Sequence, residues 1–281
     1  MIMPQQEKDI YLPAAATVMQ VEALTEQEKR FRIRRSPGDT ESFMPGQFFM
    51  LGIPGIGEAP ISISSSPTRL EAGTFDVVVR RVGNVTDALH RLHEGDTVGL
   101  RGPFGTHFPV EGLMRGHDLL FVCGGLGVVP LRSAIQYVLD RRYAYGAVSI
   151  LYGARTPKDR LFVDELLAWH DRDDVTVLET VDIADPSWAG DVGVITDLFR
   201  QIRTDSKHTV AVVCGPPVMY RFVLQELRST GLDDDHMYVS LERHMRCAVG
   251  KCGRCQVNGL YACQSGAVFN VADIEHVREA I

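Results

Sequence analysis

An antiparallel β-barrel, followed by a parallel α/β sheet and ended by a short metal-binding segment, is the architecture this sequence predicts. Three observations carry it. Residues 17–102 hold six short apolar runs separated by turn residues, the signature of a small barrel. From His117 onward, strand-like runs alternate with stretches of helical length, which implies a parallel sheet with crossover helices. Near the end, Cys247, Cys252, Cys255 and Cys263 are spaced C-x4-C-x2-C-x7-C. Thiolates this dense, in a chain that does not open on a basic-then-apolar leader, point to a metal rather than to disulfides.

Composition narrows the function classes. A chain of 281 residues has room for two domains and a small appendage. A net charge of −7 argues against nucleic acid as a partner. No apolar run approaches the ~18 residues of a membrane-spanning helix. Cys123 and Cys214 sit far apart inside apolar segments, so a reducing cytoplasm is the expected compartment.

Residues 1–16, poorly patterned and containing Pro4 and Pro13, are expected to form an N-terminal arm. The barrel is expected over 17–114, with strands at 17–24, 30–35, 47–53, 60–64, 75–82 and 97–102, and a closing turn at Gly102-Pro103-Phe104-Gly105. Within it, Pro60-Ile61-Ser62-Ile63 offers a hydroxyl and backbone groups that could meet the polar edge of a flavin ring. Arg80-Arg81-Val82-Gly83-Asn84-Val85-Thr86 then leads into a helix at 87–92. A glycine followed by threonine at a helix start suits a phosphate, because free N–H groups and the helix dipole face the anion. The arginines could add fork-shaped contacts. A plain N-cap for Thr86 and a solvated barrel position for Arg80 are the alternatives.

Over 115–239, strands are expected at 118–123, 147–152, 175–179 and 210–214. Helices are expected at 131–141, 164–170, 194–202 and 218–230. Ligands of such sheets bind beyond the carboxyl ends of the strands. Gly125-x-Gly127 lies there and lets the backbone approach a pyrophosphate, with Pro130 where a dehydrogenase fingerprint has its third glycine. Cys214-Gly215-Pro216 ends a strand at the same edge; a buried structural thiol is the alternative for Cys214. Arg155, followed by Lys158 and Arg160, falls where a ribose 2′-phosphate would lie, which favours NADP over NAD.

Residues 240–281 form the metal segment. The first three cysteines follow the plant-type [2Fe–2S] spacing, with Gly250 and Gly253 supplying permissive backbone around inorganic sulfide. Structural zinc is the rival, but zinc modules favour two short clips and one is present. Arg243, Arg246, Lys251 and Arg254 surround the segment, as a docking collar or as ordinary solvated charge.

Together, Gly-Gly-x-Gly-x-x-Pro at 124–130, Cys-Gly-Pro-Pro-x-Met at 214–219 and the cysteine segment resemble the ferredoxin–NADP reductase superfamily, from about Thr17 to the end of the chain. More narrowly, residues 240–263 look like the gamma, or diaphorase, subunits of cytoplasmic nickel–iron hydrogenases (sulfhydrogenases). These are related to the B subunit of anaerobic sulfite reductase and to the electron-transfer subunit of B-type dihydroorotate dehydrogenase. The resemblance implies FAD, with FMN as alternative, NAD(P)H and a [2Fe–2S] cluster. It sets Ser62 near flavin N5, Pro60, Ile61 and Ile63 beside the ring, and Gly83, Val85 and Thr86 at the diphosphate. Gly125, Gly127 and Pro130 match the nucleotide phosphate loop, and Cys214, Gly215 and Pro216 the nicotinamide end, so that Ser62 and Cys214 flank the hydride path. Ala59 and Ile61 replace the Arg and Tyr of the superfamily's Arg-x-Tyr-Ser motif, leaving Arg80 or Arg81 to take over the missing charge. The function implied is reversible electron transfer from NAD(P)H through flavin and cluster to a partner. Expected partners are a hydrogenase's large and small subunits and an iron–sulfur subunit. A sulfite- or dihydroorotate-reducing client and a non-catalytic, zinc-stabilised subunit are the other readings.

Overall fold

The structure, a computed structural model, describes residues 10–37, 41–71, 73–257 and 259–274. The first elements are β1 (Ala14–Ala23), β2 (Glu28–Arg35), β3 (Phe48–Ile53), β4 (Gly57–Ser62), β5 (Thr74–Arg80), helix α1 (Asn84–His90) and β6 (Thr97–Phe104). Alternation builds the barrel wall: on β2, Phe31 and Ile33 are buried while Arg30, Arg32 and Arg34 stand toward solvent. The strands pair antiparallel in the order β4-β3-β6-β1-β2-β5. A bridge between Ile63 and Val77, with Ser64 N–H donating to the Asp76 carbonyl at 2.8 Å, joins the two outer strands and closes the sheet. Phe49 and Phe75 meet inside at 4.4 Å between ring centroids.

Several boundaries differ from the sequence expectation here: α1 begins at Asn84 rather than 87, β5 ends at Arg80 rather than 82, and the first and fourth strands shift most. β1 starts at Ala14, inside the stretch expected as an arm, because Ala14–Thr17 pairs with Leu100–Thr97 of β6. Three consecutive alanines carry little strand propensity, so the pairing makes the strand. Residues 1–9 of the expected arm lie outside the described residues. The run at 60–64 ends as a strand at Ser62, after starting earlier at Gly57.

The second sheet follows, with β7 (Asp118–Gly124), α2 (Val128–Asp140), β8 (Val148–Ala154), α3 (Val163–His170), β9 (Thr176–Val181), β10 (Asp191–Val192), β11 (Thr209–Cys214), α4 (Pro217–Ser229) and β12 (Met237–Ser240). A small hairpin of β13 (Gln256–Val257) and β14 (Leu260–Tyr261) precedes β15 (Val268–Asn270). The order is β10-β9-β8-β7-β11-β12-β15, parallel except for β15, which runs antiparallel to β12. The chain leaves β7 toward β8 on one side and, after β10, returns to place β11 on the other side of β7, so the crevice between the ends of β7 and β11 is the topological switch point. Where a helix was expected at 194–202 the chain forms a 3-10 helix, Ile195–Gln201. Its buried Ile195 and Leu198 recur every three residues, the period of that tighter helix.

β12 and β15 have no counterpart among the strands expected from sequence. Their pairing (Ser240 opposite Val268, Tyr238 opposite Asn270) makes the cysteine segment an excursion between two neighbouring strands of the nucleotide sheet. The cores are also continuous. Phe48 and Met50 of the barrel share one apolar cluster with Val213 of the sheet and with Cys255 and Cys263 of the excursion. No described helix is long and apolar enough to cross a membrane.

Candidate functional site

The flavin-strip residues lie at the end of β4. Ile61 packs into the barrel core at 9% exposure and Ile63 is fully buried, so both are wall residues as well as candidates for ring contact. Pro60 and Ser62, between and beside them, are half-buried, as the two-residue period of a strand requires. Of the two arginines, Arg80 is ion-paired through Nε with Glu28 on the adjacent strand, and Arg81 donates to Asp87 at 2.6 Å. Thr86 uses its hydroxyl on its own turn, accepting from Val82 and Gly83 N–H at 3.0 and 2.9 Å. Asp87 N–H then bonds back to the Gly83 carbonyl at 2.8 Å, so the amides of Asn84, Val85 and Thr86 precede the first internal bond of α1. Val85 packs on the β3–β4 hairpin at Gly57.

The nucleotide residues converge at the switch point. β7 and β11 run in register with Cys123 beside Cys214, which brings Gly125-Leu126-Gly127 against Cys214-Gly215-Pro216. The two glycines have different jobs. Gly125, at φ +51°, faces open space, with nothing within 4 Å of where a Cβ would stand; it leaves a cradle for a ligand. Gly127 lies so close to the neighbouring strand that a Cβ would fall 2.0 Å from the Cys214 carbonyl oxygen. α2 begins directly after it, with Pro130 in the first turn, where the missing N–H costs no hydrogen bond. Burial, followed by the nearby Glu242 carboxylate, pushes the Cys214 thiol up to about 12, so it stands as a neutral thiol at physiological pH. Its Sγ lies 3.6 Å from the Ser240 carbonyl, where the cysteine excursion begins. Arg155 is exposed at the end of β8 on the same sheet edge, with Lys158 exposed nearby. Arg160 is instead committed to Glu179, through bonds of 2.8 and 2.9 Å.

A polar clamp that sequence reading missed joins the tail of β4 to the helix after the Gly125-Leu126-Gly127 turn. Residues 64–66, directly after the strip, run along α2. Arg132 Nη1 donates to the Ser64 carbonyl at 3.0 Å, Ser133 Oγ to the Ser65 carbonyl at 2.7 Å, and Gln136 Oε1 accepts from Ser66 N–H at 3.0 Å. Glu165 fixes Arg132 Nε at 2.7 Å and Gln136 at 2.8 Å, while the Arg132 guanidinium covers the Phe162 ring at 4.5 Å. The helix that starts after the Gly125-Leu126-Gly127 turn is thereby tied to the strand tail that follows Ser62.

The four thiols of the excursion gather as two pairs, Cys247 with Cys252 and Cys255 with Cys263. Among the described residues no three metal-capable side chains converge on one point. The C-x4-C-x2-C spacing with a fourth cysteine beyond it is that of a plant-type [2Fe–2S] site, whereas zinc modules favour two short clips. Backbone N–H groups point at the sulfurs: Val249, Lys251 and Cys252 toward Cys247 at 3.5, 3.4 and 3.4 Å, and Gly250 toward Cys263 at 3.2 Å. Burial would raise the Cys247 thiol, but these N–H groups outweigh it and bring it down to about 6, favouring the thiolate a metal requires. The donor set and its N–H···S contacts therefore fit a [2Fe–2S] cluster. Cys252 is exposed, as are Arg246, Lys251 and Arg254 around it, while Cys255 and Cys263 are buried.

Sequence reading also missed Arg101. This β6 side chain is 4% exposed and forms an ion pair with Glu58 of β4 at 2.7 Å. The signal was present, in a charged residue inside an apolar run, Val98-Gly99-Leu100-Arg101. A groove of about 780 Å³ on the barrel, bordered by Pro13, Gly52, Ile56 and Gly99, has neither Ser62 nor Cys214 in its lining.

Three family models match the chain. They are an oxidoreductase FAD-binding domain over residues 15–108, an oxidoreductase NAD-binding domain over 121–225, and the iron–sulfur cluster binding domain of dihydroorotate dehydrogenase B over 242–275. The chain is 43% identical over 267 residues to the sulfhydrogenase 1 gamma subunit of Pyrococcus furiosus, covering 92% of this chain and 90% of that one. Identity is 39% to the sulfhydrogenase 2 gamma subunit of the same organism, over 95% of this chain and 97% of the other. A probable dihydroorotate dehydrogenase B electron-transfer subunit of Methanocaldococcus jannaschii is 33% identical, over 84% and 83% of the two chains. Among solved structures, an NADH-dependent reduced ferredoxin-NADP oxidoreductase superposes with a TM-score of 0.73 at 26% identity, covering 99% of this chain and 94% of the other. The ferredoxin–NADP reductase fold and the three cofactor regions expected from sequence are thus borne out: FAD with the barrel, NAD with the parallel sheet, and an iron–sulfur cluster with the excursion.

Proposed function

The chain belongs to the family of electron-transfer subunits that includes the sulfhydrogenase gamma subunits, and from that premise we propose that it passes electrons between NAD(P)H and a partner nickel–iron hydrogenase. It is an oxidoreductase with FAD-, NAD- and iron–sulfur-binding regions. A nicotinamide gives up two electrons together and an iron–sulfur centre takes one at a time, and a bound flavin supplies the exchange between the two. The residues of this chain bind and orient. Gly125 and Gly127 carry the nucleotide's pyrophosphate, the neutral Cys214 borders the nicotinamide, and Ser62 offers a hydroxyl at the ring edge. Pro60, Ile61 and Ile63 flank the ring, Gly83, Val85 and Thr86 meet the diphosphate, and the four cysteines hold the cluster.

The observation that carries this reading is the position of the cysteine segment, between two strands of the nucleotide sheet and in the same apolar core as the barrel. Such continuity suits a fixed relay rather than a tethered module. None of the six cysteines is in a disulfide, which supports a reducing, cytoplasmic setting. The test is anaerobic purification of the tagged chain from its host. Hydrogenase large and small subunits and an iron–sulfur subunit should co-purify, and a sulfite- or dihydroorotate-reducing enzyme in their place would reassign the client.

Two predictions follow from surface charge. Arg246, Lys251 and Arg254 are exposed and flank the exposed Cys252 in sequence, in a chain of net charge −7, and we read them as a basic collar suited to an acidic partner surface. Reversing all three to Glu should slow NAD(P)H-driven reduction of the partner by about tenfold or more at low ionic strength, with the gap narrowing as salt rises. A deficit independent of salt would remove the collar from the account. At the nucleotide, Arg155 and Lys158 favour a 2′-phosphate. Arg155→Gln should raise KM for NADPH about tenfold, the worth of one charge-assisted contact, and leave KM for NADH unchanged. An equal change in both would show that Arg155 does not read the phosphate.

A further inference from the structure

We propose that Arg101 is the positioning residue for electron exit, joining Glu58 on the flavin strand to the backbone of the first cluster ligand. The inference rests on the functional reading above and concerns how its last step is held. Arg101 stands on β6, one strand removed from β4 with β3 between them. Its Nε and Nη2 take the Glu58 carboxylate in a fork, at 3.0 and 2.7 Å. Nη1 donates to the carbonyls of Ile10 at 2.8 Å and Cys247 at 3.2 Å, and Nη2 reaches the Arg246 carbonyl at 3.5 Å. The donors of the guanidinium are thereby all engaged, and its plane lies over the Phe104 ring at 5.6 Å. An arginine this buried and fully committed is expensive to keep unless the geometry it holds matters.

Its two sides belong to different parts of the relay. Glu58 is on β4, the strand that ends at Ser62. Cys247 is the ligand whose sulfur receives three backbone N–H groups, so the loop that makes those contacts hangs from the carbonyl that Arg101 holds. Arg101 therefore fixes the cluster loop against the flavin end of the barrel and sets a positive charge beside its first ligand, with Glu58 offsetting part of that charge. A cation there favours the more negative, reduced cluster, and a change in either partner should move the potential in a direction set by its charge.

The test uses the full chain, purified without air, as wild type, Arg101→Met, Arg101→Lys and Glu58→Gln. Each is examined for flavin and iron content, for flavin bleaching and cluster reduction after mixing with NADPH, and for the cluster's midpoint potential by EPR. Arg101→Met should bleach its flavin within about twofold of wild type yet reduce its cluster severalfold more slowly, because electron tunnelling falls off steeply with distance and the cluster loop loses the side chain that holds it to the barrel. Its potential should fall. Glu58→Gln should move the potential upward, the opposite sign, which a merely structural role would not produce. Arg101→Lys should keep the potential near wild type but recover only part of the rate, since an ammonium cannot span a carboxylate fork and two carbonyls. If Arg101→Met loses its iron, the raised potential of Glu58→Gln, together with the unshifted potential and partial rate of Arg101→Lys, still carries the proposal. Wild-type protein with flavin and iron, and variants matching it in rate and potential, would overturn the role of Arg101 alone. Wild-type protein without iron would overturn the functional reading and this inference with it.

Discussion

Gly127→Ala is expected to abolish measurable bleaching of the flavin by NAD(P)H, a loss of about a hundredfold or more, and to destabilise the protein as well. The added Cβ would fall 2.0 Å from the Cys214 oxygen, 2.4 Å from its carbonyl carbon and 2.7 Å from the Gly215 nitrogen. All three are backbone atoms, and no side chain can rotate to make room. β7 and β11 are paired over six residues up to Cys123 and Cys214, so the strands cannot part without losing ladder hydrogen bonds. The turn carrying Gly125 must move away instead, by more than an ångström, and with it the cradle and the start of α2. Overpacking of this kind costs about 1–3 kcal/mol or more, and a shift of that size in a positioned site costs roughly a hundredfold in rate. Gly125→Ala is the contrast. Its Cβ meets no protein atom within 4 Å, so the fold bears only the left-handed backbone penalty of about 1–2 kcal/mol, while the methyl stands in the space left for the nucleotide. Thermal unfolding and an NADPH titration of both variants check the difference. Equal stability and equal bleaching in Gly127→Ala would mean that the two turns do not press on each other.

The second large effect is expected at the clamp. Arg132→Met should destabilise the protein by about 3 kcal/mol, the lower end of the range for removing one partner of a buried ion pair. The lower end applies because Glu165, its main partner, is 24% exposed on its side chain while Arg132 is 6% exposed. Methionine keeps the length of the side chain but strands the Ser64 carbonyl and leaves Asp76, 2% exposed, with Arg32 as its remaining close cation. Unlike a remote core lesion, this one also loosens the link between flavin strip and nucleotide helix, so hydride transfer should slow even at temperatures where the variant is folded. Arg132→Met combined with Glu165→Gln removes both charges and should recover part of the stability but not the rate. Recovery of both would reduce the clamp to a fold-stabilising contact.

How much of this was legible depends on which part of the chain enforced it. Metal chemistry dictates local spacing, so Cys247, Cys252, Cys255 and Cys263 marked out the segment that the iron–sulfur family model matches. Period-two patterning marked β2 through Phe31 and Ile33, because one face of that strand meets solvent. Where pairing rather than composition makes a strand, the text is mute. Ala14–Thr17 reads as an arm until β6 lies beside it. Val268–Asn270 is three residues long, and it becomes a strand only because β12, nearly thirty residues earlier, offers a free edge. Gly127 was readable as a phosphate approach, but its contact with Cys214 requires knowing that β7 and β11 are neighbours. Arg101 and Arg132 look like solvated charge on a strand and a helix. Their burial exists only after the excursion folds onto the barrel and α2 settles against residues 64–66.

The central claim is that a two-electron donor and a one-electron exit are joined in this one chain. The most direct test is a stepwise anaerobic titration of the isolated protein with NADPH, followed by absorption and by low-temperature EPR. The account predicts flavin bands and a thiolate-to-iron shoulder that bleach together as reductant is added, with the signal of a reduced [2Fe–2S] centre growing in step. Flavin bleaching without any cluster signal, or a colourless protein carrying a single zinc, would contradict it.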